Sequence, residues 1–290
     1  MPGRSRGPIA VIITIWDISK IIARLKSALS ISRTLFSVIV SIGVLTAPAI
    51  AGPPYLTDDA DPLDYQHWEA YLFTSGSHTR GTDSVIGPGV EVNYGIIPNA
   101  QVHLVVPESY YSQGGAGASG LGDIETGIQY RFINETRSRP KAAFYPMAEL
   151  ATGDQSKGLG NGKTWYRLPL WIEKTEGRVT LDTGGGVELN SEEGQRNSGF
   201  GGFLTEYTFN DSLSLGGELY VQGAQASVPV PAPDDYDLPG DRESSVWNVG
   251  GVFNFTPDLS LLFSVGHSYQ GEGSSVYYLS LYRTWGPGSP

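Results

Sequence analysis

Nine carboxylates, Glu69, Glu91, Asp123, Glu125, Glu149, Asp182, Glu188, Glu206 and Glu218, recur in segments where polar and apolar residues alternate. Arg131 and Arg167 are the basic residues that share their positions. Period-two spacing sends all eleven to one face of their strands. If that face lines an enclosed space, carboxylates so crowded need counter-charge, water or raised pKa values. Two readings fit. One is a cation-leaning passage or polar ligand site, as rings of charge set selectivity in pores. The other is a salt-bridged, hydrogen-bonded filling that closes the space. These eleven residues are the lumen and ligand candidates.

Other chemistry is poorly supplied. The chain has no Cys, which excludes thiol nucleophiles, thiolate metal sites and disulfides. The Gly-rich run 151-ATGDQSKGLGNGK-163 is not followed by a helical pattern, so it is no phosphate loop. It reads as a flexible surface loop in preference to one folded into a pore. The run 57-TDDADPLD-64 lacks the spacing and terminal Glu of an EF-hand. The four histidines are His67, His78, His103 and His267. His267 and Ser268 are chain neighbours in a strand and face opposite ways, and no other serine is marked out as a partner. No catalytic residue, metal or cofactor is expected.

The first fifty residues differ from the rest. Arg24, Lys26 and Arg33 precede an apolar run from Leu35 to Leu45 and then 46-TAPAIAGPP-54. That order predicts a secretory signal within residues 1–51, cleaved after Ala51. The run is shorter than the roughly 17–25 residues of a membrane helix. Residues 52–290 carry 13 basic and 29 acidic residues, about −16, which argues against nucleic-acid binding through phosphates.

Twelve segments of period two fill residues 65–285, preceded by a periplasmic lead-in at 52–64 and succeeded by a tail at 286–290. The clearest include 122-GDIETGIQYRF-132, 213-LSLGGELYVQ-222 and 275-SVYYLSLYRTW-285. The connections alternate. Short ones are 95–100, 134–140, 175–178, 210–212 and 256–258; generally longer ones are 76–86, 111–121, 151–163, 190–197, 223–243 and 270–274. Tight turns at one end and longer loops at the other, with an even strand count, predict a closed antiparallel up-and-down transmembrane β-barrel in a bacterial outer membrane. Ile124, Ile128 and Tyr130 would then face lipid. Tyr94, Phe132, Tyr207, Phe209, Phe255 and Trp285 by the short turns, and Trp165, Trp247 and Tyr277 by the long loops, would form two aromatic girdles. The last strand resembles the signal read by the outer-membrane assembly machinery.

The runs 55-YLTDDADPLDYQHWEAYLF-73, 88-PGVEVNYGIIPNAQVHLVVPES-109, 120-GLGDIETGIQYRF-132 and 149-ELATGDQSKGLGNGKTWYRLPLWIEK-174 resemble the outer-membrane barrel family named after the meta-pathway of phenol degradation. The resemblance implies a barrel assigned to transport and sometimes linked to aromatic catabolism. It brings no catalytic residues.

The expectation is therefore a monomeric, non-enzymatic barrel passing small solutes, aromatic compounds among them, by diffusion through a polar acidic lumen. Its partners would be outer-membrane lipid, the assembly machinery and the solute. Two alternatives stand: a structural or adhesive barrel with a closed lumen, presenting loop 223–243, and a soluble secreted β-sandwich that binds partners.

Overall fold

A computed structural model describes residues 53–225, 243–271 and 273–289. The leader and most of the loop 223–243 lie outside the described residues. Strands β1 (Trp68–Thr79), β2 (Thr82–Ile97) and β3 (Ala100–Gln113) are followed by β4 (Ala116–Leu121), β5 (Ile124–Ile133), β6 (Lys141–Phe144) and β7 (Met147–Leu150). After a 3-10 turn at Gln155–Lys157 come β8 (Trp165–Glu176), β9 (Val179–Leu189), β10 (Ser198–Asn210) and β11 (Leu213–Gln222). The chain ends with β12 (Ser244–Thr256), β13 (Leu259–Gln270) and β14 (Ser275–Trp285).

These fourteen stretches make twelve spans. β4 and β5 both pair with β3, separated only by a bend at Gly122 and Asp123. β6 and β7 both pair with β8 in one register, interrupted at Tyr145 and Pro146. Pro146 has no N–H to give a ladder, so the break falls there. All pairings are antiparallel, and β14 returns to β1 from Trp68↔Trp285 to His78↔Ser275. The sheet therefore closes on itself and is not a two-layer sandwich.

Alternation decides which side chain goes where. Leu72, Ile128, Leu219, Val265 and Leu281 all stand exposed on the outside. So bare a ring of apolar side chains is matched only by acyl chains, and closure of the ladder pairs each span with a neighbour on either side. The protein resides in the bacterial outer membrane. Trp68, Tyr94 and Trp285 cluster at the short-turn end, with Trp68 and Trp285 rings stacked at 6.3 Å. Trp247 and Tyr277 are exposed toward the other end.

Three local expectations need correction. Trp165 is 2% exposed and points inward, so it belongs to no girdle. Residues 76–86 and 111–121 are not loops. They extend β1–β2 and β3–β4 as tall hairpins, turning at Gly81 and at Gly114–Gly115, whose positive φ suits glycine. The lead-in also departs from the expected periplasmic position, because its residues 53–63 lie inside the barrel against inward wall groups.

Leu281 sits on the outward face of β14 between Tyr277 and Trp285. We expect Leu281→Arg to cost about 2–4 kcal/mol of folding free energy, read by denaturant titration in phospholipid vesicles. A cost near zero would mean that lipid does not cover this face.

Candidate functional site

Residues 53–66 form a strap across the lumen. Tyr55, Thr57 and Ala60 are fully buried. The strap has no ladder of its own: the amides of Asp59 and Asp61 bond to the strap's own Asp58 and Asp59 carboxylates, and the wall meets others. Glu218 of β11 accepts from the backbone N–H groups of Leu56, at 3.1 Å, and Thr57. Glu173 of β8 accepts from the Ala60 N–H at 3.4 Å, and Gln101 of β3 from the Leu63 N–H at 2.7 Å. In return Gln129 of β5 donates to the Asp59 carbonyl at 2.8 Å, and Ser264 of β13 to that of Pro54 at 2.6 Å. Asp61 is gripped by Arg131 and, at 2.7 Å, by Lys141. Two glycines make room. A Cβ at Gly216 would stand 2.6 Å from the Tyr55 hydroxyl, and one at Gly202 would collide with the Thr57 side chain.

Ten of the eleven candidates are buried on inward positions, and Arg131 is partly so. They do not form one group. Glu69 accepts from Asn93 and from the Tyr282 hydroxyl, each at 2.8 Å, and Glu91 accepts from the same Asn93 amide at 2.7 Å. Glu125 lies 3.1 Å from His103 Nε2 and is opposite Glu149 across β5–β7. Asp182 is opposite Glu173 across β8–β9. Arg167 lies 3.4 Å from Glu188 and 4.6 Å over the Phe200 ring. Glu188 accepts from Ser198 and Gln222, and Glu206 shares the inward face of β10 with Leu204.

Asp123 is set apart. It accepts from the backbone N–H groups of Gly153, at 2.8 Å, and Asn161, at 2.7 Å. The loop 151–163 is thus tied down with Leu159 buried, and is not a free surface loop. Ser156 and Lys157 hold the exposed Asp154 carboxylate below its ordinary range.

Sequence reasoning passed over Glu173 and Lys141, and gave Asn93 and His103 no part in the lumen set although parity places both on inward positions. Glu173 has the same parity as Arg167 and was readable. Lys141 was hidden because Ala142 and Ala143 beside it are both buried, which blurs the alternation. His103 is held between Tyr145, at 2.7 Å, and Glu125. His78 pairs with Asp83, and His67 lies by the Tyr65 carbonyl. His267 Nδ1 lies 3.1 Å from the Ser275 hydroxyl, both on exposed outward positions.

Residues 70–279 match the family model described as "Putative MetA-pathway of phenol degradation". The chain belongs to this family. No curated protein matches it in sequence. Among solved structures it is similar to an outer-membrane channel from Pseudomonas putida F1, with TM-score 0.61, 14% identity, and 78% of this chain and 98% of that one covered. The NanC porin matches at TM-score 0.51 and 6% identity, covering 74% and 98%. The KdgM porin matches at 0.50 and 10%, covering 74% and 99%. At such identities the likeness is one of fold: this family member has the closed barrel of outer-membrane channels and porins.

The strap carries a pH dependence. Burial pushes the Asp58 carboxyl up to about 7; the Asp59 N–H pulls it back, Glu125 adds to the rise, and Arg167 and Glu69 make smaller opposite contributions. A docked strap holds that proton and a released one gives it up. Docking is therefore strongest below the ordinary carboxylate range and weakens as pH climbs through about 7. The chain lacks native cysteine, so a nitroxide on Leu56→Cys reports the strap alone. Its spectrum should gain a mobile component from about pH 6 to about pH 8, and Asp58→Asn should flatten the change. A pH-independent spectrum in both proteins would exclude this linkage.

Proposed function

We propose that the barrel is a passive channel for small solutes, aromatic compounds among them, through an acidic lumen whose width is set by the strap. The observation that carries this reading is how the strap is held. Its amides and carboxylate meet charged and polar wall groups one by one, and such contacts exchange readily for water. A strap fastened this way can shift without unfolding the wall, whose ladders are separate from it.

The electrostatics support a cation-leaning passage. The inward carboxylates outnumber Lys141, Arg131 and Arg167, and a confined path lined by one sign of charge concentrates the opposite ion. Transport here needs no covalent chemistry. The family match and the inward polar face support passage over catalysis, and we read the Ser275–His267 contact as a rim hydrogen bond. The barrel would work as a monomer delivered by the outer-membrane assembly machinery, with Trp285 closing its last strand.

Purified protein in a planar bilayer should carry a steady ion current. Glu218→Gln weakens an acceptor shared by two strap amides, and Gly202→Leu crowds Thr57. Both should raise conductance severalfold while the band on an unboiled denaturing gel still shifts on heating. Glu125→Gln, which leaves the strap bonded, should instead lower the preference for potassium over chloride. An intact barrel without current in any of the four proteins would favour the closed structural reading.

A further inference from the structure

Inside the lumen the wall carries an apolar layer. Tyr145 and Met147, Trp171 of β8, Phe200 of β10, Tyr220 of β11 and Val246 of β12 make one buried cluster. The wall holds these rings by itself. Trp171 and Phe200 lie with ring centroids 6.2 Å apart, and Phe200 stacks on Tyr220 at 6.2 Å. Arg167 covers Phe200 at 4.6 Å and donates to the Tyr220 hydroxyl at 3.1 Å. A Cβ at Gly184 would stand 2.6 Å from the Trp171 ring, so a glycine of β9 seats the indole.

The strap meets this layer through two apolar residues. Ala60 is fully buried in it, and Leu56 packs against it while half-buried. Leu56 also borders a lumen cavity of about 340 Å³, and so do Tyr145, Met147, Trp171 and Phe200. That volume is within the size range of small-molecule sites. Strap and cavity therefore share one aromatic wall, and whatever fills the cavity touches the rings against which the strap rests.

The two occupants are unequal. Ala60 offers the layer a methyl group and Leu56 a short branched chain, whereas an aromatic solute offers a flat face to stack on the rings. A charged solute would lose its water on entering the layer, at a cost an uncharged one does not meet.

We propose that this layer is a binding site for uncharged solutes with a single aromatic ring, and that Leu56 and Ala60 of the strap are its built-in competitors. The proposal rests on the channel reading and adds its regulation: the solute loosens the strap that it must pass. With the strap docked, a solute in the cavity reaches part of the layer. With the strap lifted, the surface beneath Leu56 and Ala60 joins the site. The solute thus binds the lifted state more tightly, and by linkage shifts the strap outward by that ratio of affinities.

The test uses the full mature protein in vesicles with a nitroxide on Leu63→Cys, a strap position outside the layer. Benzyl alcohol should raise the mobile component of the spectrum saturably, at concentrations at least about tenfold below those at which inositol, an uncharged polyol, acts. Leu56→Ala weakens the competitor and should lower the half-saturating concentration severalfold. Trp171→Leu weakens the site and should raise it severalfold. In a planar bilayer, benzyl alcohol should increase the potassium current, and a protein lacking residues 53–63 should show no increase. If Trp171→Leu gives no heat-shifting band, the Leu56→Ala comparison decides alone.

A half-saturating concentration unmoved by Leu56→Ala would overturn the competition. Current present, with both solutes acting alike on the spectrum, would overturn the site and leave the channel reading intact. Saturable mobilisation by benzyl alcohol without any current would overturn the channel and support the site. Neither current nor selective mobilisation would overturn both.

Discussion

A hydrocarbon layer offers no partner to a backbone N–H or C=O, and the rest of this structure depends on that constraint. It forces every spanning strand to bond to two neighbours, so the sheet must close, and β14 meets β1 over eleven residue pairs. Closure then fixes the two faces. Apolar side chains such as Leu72 and Leu281 are placed where only lipid can meet them, and each alternate residue is placed in a confined interior. The polar interior is a consequence of the wall; it is not added to it.

That interior raises a second problem of the same kind. Twelve spans enclose more space than their own inward side chains fill, and those side chains include buried carboxylates on β1, β2, β5 and each strand from β7 to β11. Part of the answer lies within the wall, as in the Arg167–Glu188 pair and the Asn93 bridge between Glu69 and Glu91. The strap supplies another part. Its backbone N–H groups at Leu56, Thr57 and Ala60 are donors that cost no charge, and its Asp61 satisfies Arg131 and Lys141. Strap and wall thus supply part of each other's hydrogen bonding, which buried polar groups require.

Much of the barrel was legible because lipid exposure imposes a strict alternation on the sequence. Ile124, Ile128 and Tyr130 against Glu125, Gln129 and Arg131 could be sorted by parity alone. The pattern fails where its cause is missing. Residues 76–86 and 111–121 extend the hairpins beyond the apolar belt, where no acyl chain selects one face, so their Gly and Ser content read as loop. In 164-TWYRLPLWIEK-174 aromatics occupy both faces, because Trp165 and Trp171 pack inside while Tyr166 stands outside. The strap was illegible for a deeper reason. It bonds through backbone amides to carboxylates more than a hundred residues away, and neither partner's spacing records that contact.

The same carboxylates therefore have two uses, which bears on how selectivity and opening are related. Glu218 and Glu173 hold the strap by accepting hydrogen bonds, so any displacement of the strap returns those acceptors to the lumen. A strap that moves aside widens the path and, in the same step, makes its wall more demanding of positive charge. In the channel proposed above, width and charge preference would then be coupled through shared atoms at Glu218 and Glu173. Glu69, Glu91 and Glu125 bond to Asn93, Tyr282 and His103 on the wall and hold no strap amide, although Glu125 and Glu69 still bear electrostatically on Asp58. In the channel proposed above, selectivity that depends least on the strap's hydrogen bonds would come from this second set, near which Tyr71, Tyr145 and Tyr282 also gather.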